Sequence, residues 1–445
     1  MLLVFCDGTG EDGLISSNGD GKAAKNDQYA TNIFRLSRAV NLKKKLPDGS
    51  EVDQIIYYTA GVGSESDFRG VSLTEGAAMK SFGMAVASKI RDVYAFIAQN
   101  HAPGDEICIF GFSRGAYTAR KVAGLINRIG LLRRDQFGSF YSIWASLITG
   151  KNPPPYPKEP VPIRCVGVWD TVGSVYEGLG TVMDALCIKD QTLTPNIELA
   201  LHAVSLQENR QKFLPTLWAP GPEGLCPNQV LKQHWFPGAH SNVGGGYQRS
   251  ELADLPLIWM AGEICDFISL DLDFIQKNLQ RFPNAGWGQS QPNNSYTESG
   301  VAVRFVVGCA NRLDGGILTH DSVLHSSIEV APTKLKEPTG MITLEHIKKK
   351  FGPAWKPKYA PLNAFEERCK TAWGKPLTAE KRTSHKGPAF ENINDLFDGI
   401  WVDEPENAQE APGHVETKPE ASAGPTTLVA DIAGDAKGSQ IRKVL

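Results

Sequence analysis

The sequence lacks the marks of several function classes. It carries eight cysteines but no Cys-x-x-Cys pair and no cysteine–histidine cluster at zinc spacing, so a zinc module is not expected. Cys6, Cys108 and Cys165 fall inside strand-like apolar runs, which predicts buried thiols kept reduced. No apolar stretch approaches the roughly 20 residues of a membrane span. Basic residues form only short clusters such as Lys43-Lys44-Lys45 and Lys348-Lys349-Lys350, and the formal net charge is −3, so nucleic acid is not an expected partner. There is no internal repeat, which removes solenoids and propellers. Met1-Leu2-Leu3-Val4-Phe5 has no basic n-region or cleavage site and meets Asp7 at once, so it reads as a first strand rather than a signal peptide. The protein is therefore expected to be cytoplasmic, with any export by a route that needs no Sec signal. No cofactor is expected.

What is present is an ordinary globular composition, 41% hydrophobic and 21% charged, in a chain long enough for one large catalytic domain with insertions. Strand-like runs at 2–6, 55–58, 107–112, 163–169 and 232–236 alternate with helical patterns at 33–40, 76–100 and 114–129. Thr31 is placed to cap the first of these helices. Residues 197–205 also read as a helix, and 301–307 as a last strand. This alternation predicts an α/β fold with a mostly parallel sheet and helices on both faces. The catalytic domain is expected over 1–335 with an inserted helical cap at 251–300. A peripheral subdomain is expected at 336–402, and a disordered tail at 403–445, where Glu, Pro, Ala and Gly dominate.

The chemistry concentrates in Ile107-Cys108-Ile109-Phe110-Gly111-Phe112-Ser113-Arg114-Gly115-Ala116-Tyr117. A buried strand, Gly-x-Ser-x-Gly and a helix spell a nucleophile elbow, with small residues where the turn crowds its neighbours. Ser113 then needs a base, and the base an orienting acid, in the chain order Ser, acid, His. Asp170 follows the 163–169 strand, and His240 follows the 232–236 strand just before Gly244-Gly245-Gly246. His320 is the alternative base and Asp254 the alternative acid, whereas His202 reads as a packed structural residue. The oxyanion hole is expected from the amide of Arg114 and that of Gly8 or Thr9 in the turn after the first strand. Asp7 has no partner carboxylates at a metal-binding spacing, so no metal is expected and Asp7 reads as a turn and network residue.

Taken together, these blocks carry a resemblance. Phe5-Cys6-Asp7-Gly8-Thr9, Thr31-Asn32-Ile33-Phe34-Arg35-Leu36, Gly61-Val62-Gly63, the elbow, Trp169-Asp170-Thr171-Val172-Gly173 and Phe236-Pro237-Gly238-Ala239-His240 through Gly246-Tyr247 occur in an order that resembles the catalytic domain of type VI secretion lipase effectors of the first class. The resemblance implies an α/β-hydrolase with phospholipase A-like activity, a lipid or phospholipid substrate at a membrane surface, and a secretion-apparatus or immunity partner. It also implies a triad of Ser113, Asp170 and His240. Two positions depart from the family's usual pattern: Gly10 stands for an aromatic, and Asn242 for an aspartate. These departures motivate the alternative of a non-catalytic binding or toxin-associated module that keeps the hydrolase fold.

Overall fold

The computed structural model of the 445-residue chain describes residues 1–9, 11, 29–61, 79–149, 152, 154–173, 191–279 and 285–373. The chain separates into two units, Met1–Ala389 and Phe390–Leu445, and every described residue belongs to the first. The expected tail, Gly10, and the Val62-Gly63 part of its block lie outside the described residues.

In chain order the elements are β1 (Leu2–Cys6), α1 (Asn32–Arg38), β2 (Lys43–Lys45), β3 (Glu51–Asp53), β4 (Ile55–Thr59), α2 (Met79–Asn100), β5 (Ile107–Phe112), α3 (Arg114–Ile129), α4 (Phe140–Thr149), β6 (Ile163–Trp169) and β7 (Ile197–Ser205). There follow β8 (Val230–Phe236), α5 (His240–Gly244), α6 (Glu251–Ile264), α7 (Leu272–Lys277), α8 (Ser295–Glu298), α9 (Val301–Val307), β9 (Val323–His325), α10 (Leu344–Phe351), β10 (Lys358–Ala360) and α11 (Ala364–Ala372). Among the described residues eight strands form one parallel sheet in the order β10-β9-β8-β7-β6-β5-β1-β4, and β2 and β3 pair apart as an antiparallel ribbon. This is the helix-flanked, mostly parallel sheet expected of an α/β-hydrolase-like fold.

Successive side chains of a strand point to opposite faces, so a sheet covered on both sides needs apolar residues at every position. Leu2, Val4 and Cys6 of β1 join a cluster with Val93 and Ile97 of α2 and Val122 and Ile126 of α3. Leu3 and Phe5 join a second cluster with Ile33 and Leu36 of α1 and Leu255 and Ile258 of α6. Hence β1 and β5 read as unbroken apolar runs. Cys6, Cys108 and Cys165 are buried and free, and burial pushes the Cys6 thiol up to about 12. Helix α6, at the start of the expected cap segment, is buried from Glu251 through Ala261 and belongs to the layer that covers the sheet. Within 336–373, β10 pairs with β9 at the sheet edge, and Phe365 and Cys369 of α11 enter the same cluster as α6. Of the described helices none is long and apolar enough to cross a membrane.

Two elements differ from the sequence expectation. Residues 197–205 form the central strand β7, not a helix, paired from Ile197 to Ser205 with its two neighbours. Leu, Ala and Glu favour helix, and a strand buried on both faces shows no period-two alternation to override them. Residues 301–307 form α9, not a strand; Gly300 and Gly308 bracket it, and it pairs with no strand. β-Branched residues oppose a helix only weakly, so local context decides.

The sheet also fixes where a site belongs. From β1 the chain runs to β4 on one side, then returns to β5 and proceeds strand by strand in the other direction. Strand order therefore reverses between β1 and β5, and ligands of such sheets bind at the carboxyl ends beside that reversal. Asp7 and Ser113 stand there.

Candidate active site

The sharp turn at Ser113 is built by its neighbours. Its φ of 56° and ψ of −121° lie in a region that L-residues rarely occupy, and it sits between the last residue of β5 and the first of α3. The Ser113 N–H donates to Trp169 O at 3.1 Å and its carbonyl accepts from Val172 N at 3.3 Å, which lashes the turn to the end of β6. A Cβ at Gly115 would land on the carbonyl oxygens of Cys6 and Asp7, so a side chain there would force α3 away from β1. Asp170 is likewise held at a positive φ of 40°, with its N–H donating to Ala203 O at 2.8 Å. Strained residues persist where surrounding structure over-determines them, at a cost of about 1–3 kcal/mol each.

These turns bring three side chains into one line. Ser113 Oγ lies 2.8 Å from His240 Nε2, and His240 Nδ1 lies 2.6 Å from Asp170 Oδ2. With Asp170 ionised, Nδ1 carries the proton it donates to the carboxylate, which leaves Nε2 to accept from the Ser113 hydroxyl. Ser113 and His240 are 5% and 4% exposed and Asp170 is fully buried, so these bonds lie in a low-dielectric setting. Burial holds the His240 imidazole below its ordinary 6.5 against the opposing pull of Asp170. For Asp170, burial acts upward, but Arg312 and His240 outweigh it and hold the carboxyl well below the ordinary carboxylate range. A neutral base beside an ionised acid is the charge state that proton abstraction from a serine requires.

The imidazole is fixed from several sides. Phe112 packs against the ring with centroids 4.7 Å apart, and Phe213 meets it edge-on at 5.1 Å. The Gly run after His240 has a steric reason: a Cβ at Gly244 would fall inside the Phe112 ring, so glycine lets α5 approach β5. The His240 backbone N–H donates to Glu208 Oε2 at 3.1 Å, and Glu208 is in turn paired with Arg210.

Residues 1–160 and 152–263 match the family described as "T6SS, Phospholipase effector Tle1-like, catalytic domain". The chain belongs to this family. Among individual proteins, the uncharacterized protein YEL023C of Saccharomyces cerevisiae is 29% identical over 256 residues, 48% of this chain; the chain spans only 36% of that relative's length. Two solved structures are similar in part. An uncharacterized protein from Pseudomonas aeruginosa is 20% identical over 59% of this chain and 45% of its own, with a TM-score of 0.31. A Tle1 effector bound to the VgrG spike of the type 6 secretion system is 21% identical over 55% of this chain and 51% of its own, with a TM-score of 0.32.

Within this Tle1-like catalytic domain the other sequence candidates lie elsewhere. His320 is exposed in a turn that precedes β9, where Trp355 Nε1 donates to its carbonyl at 3.1 Å; no strand leads into it, because 301–307 is helical. Asp254 lies on α6, accepting from Arg35 Nη2 at 2.5 Å and from Ser250 Oγ at 3.2 Å. His202 is on β7 rather than a helix; its Nε2 accepts from Thr171 N at 3.2 Å, and its Nδ1 faces Gln233 Oε1 at 3.0 Å. Burial lowers its pKa to about 3, so it is a neutral structural histidine. Asp7 accepts from Gly8 N at 2.7 Å, Thr31 Oγ1 at 2.9 Å and Tyr58 Oη at 2.6 Å. The Gly8 amide is thus engaged by Asp7. Among the described residues no group of three or more His, Cys, Asp or Glu could hold a metal ion.

Asn242, the departure from the Tle1-like pattern, has a structural explanation. Its Oδ1 accepts from Ala239 N at 3.1 Å and Asn293 N at 2.9 Å, while its Nδ2 donates to Asn293 Oδ1 at 2.9 Å. Asn293 cannot flip freely to suit an aspartate, since its own Nδ2 donates to Glu298 Oε1 at 2.8 Å. The amide therefore joins the histidine-bearing helix to the 290–294 loop through one donor and one acceptor.

Sequence reasoning missed Glu208, Arg210, Phe213 and Arg312. The first three follow β7, at the same carboxyl edge as Ser113 and Asp170, and the helical reading of 197–205 concealed that position. Nothing in Ala310-Asn311-Arg312-Leu313 marks Arg312 in advance.

Proposed function

We propose that this chain is a serine ester hydrolase that cleaves acyl esters of phospholipids through an acyl-enzyme. The observation that carries the proposal is the continuous bond line from Ser113 Oγ to His240 to Asp170, at 2.8 and 2.6 Å. In the proposed cycle Ser113 Oγ attacks the ester carbonyl while His240 Nε2 takes its proton. His240 then returns that proton to the departing alcohol, and a water activated by the same imidazole releases the fatty acid. Asp170 holds the imidazole tautomer and offsets the charge of the imidazolium. The Arg114 amide, at the start of α3, is assigned as the first oxyanion donor, because a helix N-terminus leaves its first N–H groups free of partners within the helix. The second donor is assigned to Thr9, because the Gly8 amide already bonds Asp7.

Phospholipid as substrate is supported by membership of the Tle1-like phospholipase effector family. The same membership supports a component of the secretion apparatus as partner and a membrane surface as the place of action. The test is hydrolysis of phosphatidylcholine vesicles and of a short-chain ester by purified protein. Ser113→Ala and His240→Ala are each expected to lower the rate at least about 10³-fold with unchanged circular dichroism. A folded Ser113→Ala variant that retains wild-type turnover would refute the assignment.

A further inference from the structure

Arg312 is fully buried, and its guanidinium forks onto the acid: Nη1 donates to Asp170 Oδ1 at 2.8 Å and Nη2 to Asp170 Oδ2 at 3.0 Å. Nη2 also donates to Phe213 O at 2.9 Å, and the Phe213 ring is the edge-on wall of His240. Among the described residues Arg312 Nε is buried with no hydrogen-bond partner. A buried ion pair with an unmade hydrogen bond is a poor stability device; well-packed apolar residues of similar volume would serve stability as well or better. The placement of this charge is better explained by what it does to the acid.

We propose that Arg312 is a positioning residue that locks the carboxylate plane of Asp170 for His240 and tempers the basicity of the imidazole. This rests on the triad reading above. Asp170 Oδ1 accepts from Ser205 N at 2.9 Å and from Arg312, and Oδ2 accepts from Arg312 and His240. Two parallel N–H bonds leave the carboxylate little freedom to rotate, so its Oδ2 lone pair stays aimed at Nδ1. The charge effect follows from the groups around the ring. Asp170 after β6 and Glu208 after β7 favour the imidazolium and Arg210 after β7 opposes it, while Arg312 acts on the acid, holding the Asp170 carboxyl down. Glu208 and Arg210 pair with each other at 2.8 Å, and among the described residues Ser113, Phe112 and Phe213, which also meet the ring, carry no charge. His202, behind Asp170, is neutral. By its fork Arg312 offsets the Asp170 charge that stabilises the imidazolium, and the base stays unprotonated to lower pH. Without Arg312 both Asp170 and His240 would hold protons more tightly, and both changes push the acid limb of activity upward.

The experiment measures kcat and KM for a short-chain ester across pH for wild type, Arg312→Gln, Arg312→Lys and Ser113→Ala. For Arg312→Gln the expected result is a kcat at least about tenfold lower, KM within about twofold, and an acid limb displaced upward by about one pH unit. Arg312→Lys restores the charge but not the fork, so its limb stays at the wild-type position while kcat remains below wild type. A limb that does not move in a folded Arg312→Gln variant, or an Arg312→Lys variant with the Arg312→Gln limb, overturns the proposal. If Arg312→Gln does not fold, Arg312→Lys decides alone: wild-type kcat overturns the positioning role, and a lowered kcat with an unmoved limb supports it. Activity surviving in Ser113→Ala would instead sink the triad reading itself, an outcome separate from any position of the limb.

Discussion

His240 sits under two opposed influences, and burial wins over Asp170, so its pKa lies below 6.5 in the folded protein. The working form is the unprotonated one; activity is therefore retained above that pKa and lost as pH falls through it. The kcat/KM profile of the wild type for a soluble ester is expected to show a single acidic limb with its midpoint below 6.5. A midpoint above that value would mean that the Asp170 carboxylate, not burial, controls the imidazole. Asn242 offers a second check at this scale. Asn242→Asp replaces a donor by an acceptor opposite Asn293 Oδ1 in a site where residue 242 is 2% exposed. Loss of that bond in a buried setting is expected to destabilise the fold by about 1–3 kcal/mol, measured by urea denaturation. A variant as stable as wild type would show that the Asn293 contact contributes nothing.

At the scale of elements, legibility in the sequence followed the strength of local signals. The elbow helix was readable to its ends at Arg114 and Ile129, because a strained Gly-x-Ser-x-Gly turn fixes its start and Gly130 follows its last residue. Asp170 and His240 were readable because each follows a strand that ends in a turn. Strand β7 was not, since its Leu-Ala-Leu-His-Ala core is buried on both sides and carries no alternation. That one misreading also hid Glu208 and Arg210. Arg312 was hidden for another reason: it reaches Asp170 across 142 positions of sequence, and no local pattern encodes such a contact. The elbow makes its own prediction. Gly115→Ala would set a methyl against the backbone carbonyls of Cys6 and Asp7, at the end of a strand paired on both sides, which cannot retreat as a side chain can. The expected result is a loss of about 3 kcal/mol or more, seen as insoluble protein or a much lower denaturation midpoint. Wild-type stability in that variant would contradict the close approach of α3 to β1.

Across the described residues, four neighbouring strands, β5 to β8, each deliver part of the candidate site at their carboxyl ends. Ser113 follows β5, Asp170 follows β6, Glu208 follows β7, and His240 lies just past β8. The parallel sheet aligns these ends beside the reversal of strand order between β1 and β5. The account therefore stands on one nucleophile at one position. The most direct measurement is peptide mass mapping after treatment with a fluorophosphonate, which phosphonylates an activated serine hydroxyl far faster than an ordinary one. The account predicts a single adduct on the peptide carrying Ser113, absent from Ser113→Ala and formed at least about 10³-fold more slowly in His240→Ala. An adduct on a different serine, or equal labelling of the folded Ser113→Ala variant, would contradict it.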